Sequence, residues 1–144
     1  MKQKIWGWIT LAVRLILAAV FIYAAVSKIK DPVTFSREID NYQMLPYILV
    51  SLMAVILPWL ELFCGLLLVL GKGLRGASLI LIAMNIVFII AISSALARGL
   101  DISCGCFGAG ASEKVGLLKI AEDILFLVGA LFIYYRTLLR ENTA

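Results

Sequence analysis

Four runs of about twenty apolar residues dominate this chain, each the length that a helix needs to cross the ~30 Å hydrocarbon layer of a bilayer. They cover residues 5–26, 46–70, 76–97 and 115–135. Hydrophobic residues make up 63% of the chain and charged residues 15%, against about 25% charged in a soluble domain. A chain of this length suits one domain. The expected fold is an all-α, integral membrane four-helix bundle over residues 1–144, with the lipid bilayer as its surroundings.

The first run is not read as a cleaved signal peptide. Its apolar stretch is long, Arg14 interrupts it, and Lys28 follows the small residues Ala24 and Ala25. No internal repeat or low-complexity tract is present. The net charge of +4 is spread over the flanks of the runs, where a nucleic-acid surface would cluster it.

Four spans put both termini on one side and the loop around residues 98–114 on the other. Lys and Arg divide six against six between the two sides, with Arg14 inside the first run. The first span usually dominates orientation, and Lys2 and Lys4 precede it. The acids Asp31, Glu38, Asp40, Asp101 and Glu113 lie in the opposite loops. The expectation is therefore cytoplasmic termini in a bacterial inner membrane, with the 98–114 loop outside. Trp6, Trp8, Tyr134 and Tyr135 mark one interface and Tyr23, Tyr42 and Tyr47 the other.

Between the first two runs, Asp31 can cap a helix and Pro32 fits its first position. Phe35, Ile39 and Tyr42 then recur at helical spacing, with Ser36, Arg37, Glu38 and Asp40 between them. This pattern predicts a short amphipathic interfacial helix that ends before Pro46. Such a helix either covers the mouth of the bundle or helps to form a binding site.

Chemistry is concentrated in Cys104-Gly105-Cys106. The chain has no histidine, which removes the Ser-His and Cys-His pairs and most zinc catalysis. Two peptide steps hold the two Cα atoms within ~7 Å, and a disulfide needs roughly 4.4–6.8 Å. Gly105 lets the backbone turn. A ring that small is strained, and strained exposed disulfides are the labile ones. A static clip, two unpaired thiols, or a two-thiolate site for Cu(I) or Hg(II) are the alternatives. Cys64 falls inside the second run and reads as a small packed hydrophobe.

Ionisable residues inside the runs form a second signal, because such groups pair within a bundle. Counting inward from the span edges puts Arg14, Glu61 and Asn85 at a common depth of ~13 Å, with Glu122 and Asp123 nearer the cysteine side. Arg14 with Glu61 is the expected pair, bridged by Asn85. The layer fixes helix register, carries protons, or forms the polar end of a ligand pocket. Lys28, Tyr42 and Arg98 are expected nearer the cysteines, either as interfacial anchors or as groups that raise thiolate content.

These residues resemble the MauE branch of the DoxX-like family of small four-span bacterial membrane proteins. The resemblance rests on Lys28, Asp31-Pro32, Phe35, Tyr42, Leu45-Pro46, Leu57-Pro58, Glu61 and Arg98-Gly99, leading into Cys104-Gly105-Cys106-Phe107-Gly108. It implies methylamine utilisation or a related redox pathway. In such a pathway the protein works with a thioredoxin-like exported partner in forming disulfides, and quinone is a candidate electron acceptor. Lys28, Tyr42, Arg98, Glu61 and Arg14 are then the candidate cofactor-contacting residues, and Cys104 and Cys106 the candidate catalytic ones. The chain departs from the family pattern at Glu122-Asp123, where an Arg-Asn pair is common. Two readings stand: a membrane thiol oxidoreductase, and a non-catalytic or metal-handling protein that displays a dithiol.

Overall fold

The computed structural model describes residues 1–102 and 116–143, and these are helical apart from short connections. The helices are α1 (Lys2–Lys30), α2 (Pro32–Asn41), α3 (Tyr47–Leu70), α4 (Leu74–Ala97) and α5 (Leu117–Asn142). By length and hydropathy α1, α3 and α4 can each cross a membrane. The fourth long helix, α5, has a shorter uncharged run, residues 124–135, because charges occupy both of its ends. Cys104 and Cys106 lie outside the described residues.

The four long helices form a ring in which α1 packs on α3, α3 on α4, α4 on α5 and α5 on α1. Small residues allow the close approaches, as is usual between membrane helices. Ala18, Cys64, Ala77 and Ala130 are almost wholly buried in one apolar cluster with Leu17, Leu68, Leu81 and Ile133. Large side chains such as Leu52, Trp59, Phe63 and Leu125 point outward, where a lipid-facing surface needs them. Cys64 is a core residue, fully buried and unpaired.

Gly65 fixes the register of α1 against α3. A Cβ there would stand 2.6 Å from Ile22 Cγ1 and 3.4 Å from the Ala18 carbonyl oxygen. At the end of α3, Gly71 takes a left-handed conformation (φ 72°), and its N–H bonds the Leu67 carbonyl at 2.9 Å. That cap closes the helix and turns the chain into α4. Glu141 near the C-terminus pairs with Arg75 at 3.4 Å, and Trp6 stacks near Phe132 at 6.3 Å. Both termini and the α3–α4 turn therefore share one end of the bundle, here the terminal end. The α2 helix, the end of α4 and the start of α5 occupy the other, the loop end.

Candidate functional site

The register places α1 unexpectedly. Residues 1–9 are all exposed and Arg14 is level with Gly71, so the first turns of α1 run past the end of α3. Its other end, Lys30, stops short of the start of α3. Glu61, four residues from Gly65, is consequently level with about residue 24, and Lys28 lies one turn, ~6 Å, further out. An extended lysine spans that distance. Lys28 Nζ donates to both carboxylate oxygens of Glu61, at 2.8 and 2.9 Å. The pair is sealed, with Lys28 1% and Glu61 2% exposed.

Arg14 and Glu61 therefore do not pair. Arg14 lies beside Gly71, whose added Cβ would stand 2.9 Å from Arg14 Nη1. Ten residues of α3 separate that level from Glu61, or ~15 Å. Asn85 is no bridge between them, because its Nδ2 donates to the Leu81 carbonyl one turn back at 2.8 Å. Depth counted from span edges fails because α1 is displaced along its axis towards the terminal end, an offset that its composition does not encode.

The short helix α2 closes the loop end over this pair. Asp31 caps it by accepting from the Thr34 N–H at 3.1 Å and the Thr34 hydroxyl at 2.7 Å. These bonds to the charged form hold the Asp31 carboxyl below its ordinary range. Pro32, at the first helical turn, gives up no hydrogen bond there. Phe35, 1% exposed, turns its ring to Lys28 Nζ at 5.1 Å, and Phe88 of α4 presents another at 5.6 Å. The ammonium thus sits between a carboxylate and two aromatic rings, each arrangement favourable to a desolvated cation. Glu38 is buried on the same helix, and burial raises its carboxyl above the usual range.

Tyr42 ends α2 and packs with Ile92 and Ala95, against which Leu100, Ile102 and Ile120 also rest. Arg98 Nη2 donates to the Tyr42 carbonyl, tying α2 to the end of α4. Burial first, and then the negative charges of Asp123 and Glu38, push the Tyr42 phenol up to about 12. Tyr42 and Arg98 are therefore brought together at the loop end, above Lys28 and Glu61.

Between these residues lies a cavity of about 30 Å³, lined by Lys28, Glu61, Asn85 and Asp123 with Val20, Phe21, Ala24, Phe88 and Phe126. It has room for about two water molecules. Asp123 is 8% exposed, and its Oδ2 has no hydrogen-bond partner among the described residues. One turn nearer the loop end, Lys119 pairs with Glu122 at 2.7 Å.

Sequence reasoning underrated Lys28, Glu38 and Phe88. The sequence places Lys28 among the interfacial charges, yet among the described residues it is the most deeply buried cation. Its signal is the Lys-x-x-Asp-Pro spacing: a lysine one turn before a capped helix that folds back over it.

The family model described as Methylamine utilisation protein MauE matches residues 6–136. The chain is 30% identical over 123 residues to the methylamine utilization protein MauE of Paracoccus denitrificans, covering 85% of this chain and 66% of that protein. To the protein of that name in Methylophilus methylotrophus it is 31% identical over 126 residues, 86% of this chain and 64% of the relative. In Methylorubrum extorquens the figures are 32% over 116 residues, 80% and 62%. The chain thus spans just under two thirds of the length of these relatives. No solved structure matches it.

Proposed function

We propose, since this chain belongs to the MauE family of methylamine utilisation membrane proteins, that it exchanges disulfides through Cys104 and Cys106 with an exported thioredoxin-like partner. The observation that supports this reading is the packing of the residues that flank the cysteine segment. Ile102, two residues before Cys104, and Ile120, beyond its other end, rest on the same Tyr42 cluster. Chain connectivity alone keeps the Cys104 Cα within ~7 Å of the Ile102 Cα. The dithiol thus belongs to the loop end. With the termini cytoplasmic, that end faces the outside of the inner membrane, where an exported partner is found.

The exchange balances without a further reagent. A thiolate of the partner attacks the Cys104–Cys106 disulfide, one sulfur leaves as thiolate and takes a proton, and a mixed disulfide forms. The partner's second thiol resolves it, so the partner is oxidised by two electrons and Cys104 and Cys106 are reduced. Restoring the disulfide needs a two-electron acceptor, for which quinone is the candidate. A quinone ring does not fit the cavity at Lys28 and Glu61, whose volume of about 30 Å³ holds about two waters. In this exchange Lys28 and Glu61 hold α1, α2 and α3 together beneath the loop end.

Trapping tests the reading. Cys104→Ser and Cys106→Ser should each stop turnover, and a partner lacking its second thiol should accumulate as a reducible adduct with the wild-type chain. A double serine variant that supports partner oxidation like wild type would end the thiol reading. One that loses only Cu(I) or Hg(II) binding would replace it with metal handling.

A further inference from the structure

The thiol reading leaves the cavity and Asp123 without a task. Charges face this cavity from several elements. Lys28 of α1 is bonded to Glu61 of α3, and Asn85 of α4 supplies a neutral amide. Asp123 of α5 is buried, and its Oδ2 is unpartnered among the described residues. Beyond the cavity wall stand Glu38 of α2, the Lys119–Glu122 pair of α5, and Tyr42, whose phenol feels the charge of Asp123. Lys28 and Glu61 neutralise each other, so the trio with Asp123 is electroneutral only when it holds one further proton. A bare buried carboxylate without a hydrogen bond costs several kcal/mol. One N–H of Asn85 Nδ2 goes to the Leu81 carbonyl, which leaves its second N–H as a donor and Oδ1 as an acceptor. Among the described residues no group of three His, Cys, Asp or Glu side chains converges to hold a metal ion. The space, about 30 Å³, admits about two waters.

We propose that this cavity is a hydrated proton-binding site, in which water joins Asp123 to the Lys28–Glu61 pair and the three groups exchange one proton with the loop end. Water donates to Asp123 Oδ2 and satisfies it. In transfer, the O–H bond of the donating carboxyl breaks as one forms on water, and water passes one of its own protons on, so no charge is left on the solvent. The side chains of Tyr42, Lys119 and Glu122 mark the exit. The inference does not rest on the thiol reading, and its test involves no thiol.

Infrared difference spectroscopy on the full chain in lipid, stepped in pH in H2O and then D2O, reads the site directly. The expected result is a carboxylic-acid C=O band that titrates as one proton and shifts promptly in D2O. Asp123→Asn should remove it, Asp123→Glu should retain it at a displaced frequency, and Lys28→Met should move its midpoint. Circular dichroism on each variant confirms that the helices remain. A wild-type-like band in folded Asp123→Asn overturns the assignment to Asp123. A band that fails to shift in D2O overturns the hydrated cavity.

Discussion

Replacing Lys28 by methionine should be among the most damaging single substitutions in this protein, and replacing Glu61 as well should largely undo the damage. Lys28 and Glu61 are 1% and 2% exposed and share two hydrogen bonds. Breaking such a pair from one side costs about 3–5 kcal/mol, because the other charge is left buried and uncompensated. Lys28→Met also ends the contacts of the ammonium with Phe35 and Phe88. Each is worth about 0.5–2 kcal/mol, so the single variant should lose roughly 4–9 kcal/mol. In Lys28→Met/Glu61→Met no charge remains, and apolar replacements of a buried pair are often near neutral. The double variant should lose only ~1–2 kcal/mol, a coupling of at least ~3 kcal/mol. Reversible unfolding in mixed detergent, followed by tryptophan fluorescence, measures the cycle. Losses that add within ~0.5 kcal/mol would refute the pairing. Arg14→Gln with Glu61→Gln is the contrasting cycle and should be additive, since ~15 Å separates their levels.

Gly65→Val should force α1 from α3, because its Cβ alone would come within 2.6 Å of Ile22 Cγ1; a loss of about 1–3 kcal/mol is expected, and Ile22→Ala should recover part of it in the same unfolding assay. Asp31→Ala should loosen α2, read as faster hydrogen exchange at the Thr34 amide. The Asp31 carboxyl is held below its ordinary value, so its stabilisation is present above the unfolded-state pKa and fades as pH falls through the lower folded one; the variant should lack that acid-side loss. In a chain freed of its other cysteines, Lys72→Cys at the α3–α4 turn should resist impermeant thiol reagents in intact cells, and ready labelling there would reverse the orientation.

Much of the fold is legible in the sequence because membrane spans declare themselves by composition. The four apolar runs became the four long helices, and Asp31-Pro32 opened α2 where the cap and proline predicted. Cys64 took the packed core position expected of it. The ion pair was not legible. Glu61 is visibly a charge that needs a partner, but the choice between Arg14 and Lys28 depends on how far α1 slides along α3. That offset is set by Gly65 against Ala18 and Ile22 and by α2 filling the space beyond Lys30, contacts made only after the helices meet. Lys28 resembles an interfacial anchor for the same reason: its burial is created by Phe35 folding back over it.

The most direct measurement is a redox titration of the purified protein in lipid, with thiol labelling read separately at Cys64 and at the Cys104–Cys106 pair. Cys104 and Cys106 should change together in a single two-electron step, at a potential above that of stable structural disulfides, while Cys64 remains unlabelled in the folded state. A pair that stays fully reduced, or fully oxidised, across the whole physiological range of potentials would contradict the disulfide-exchange account.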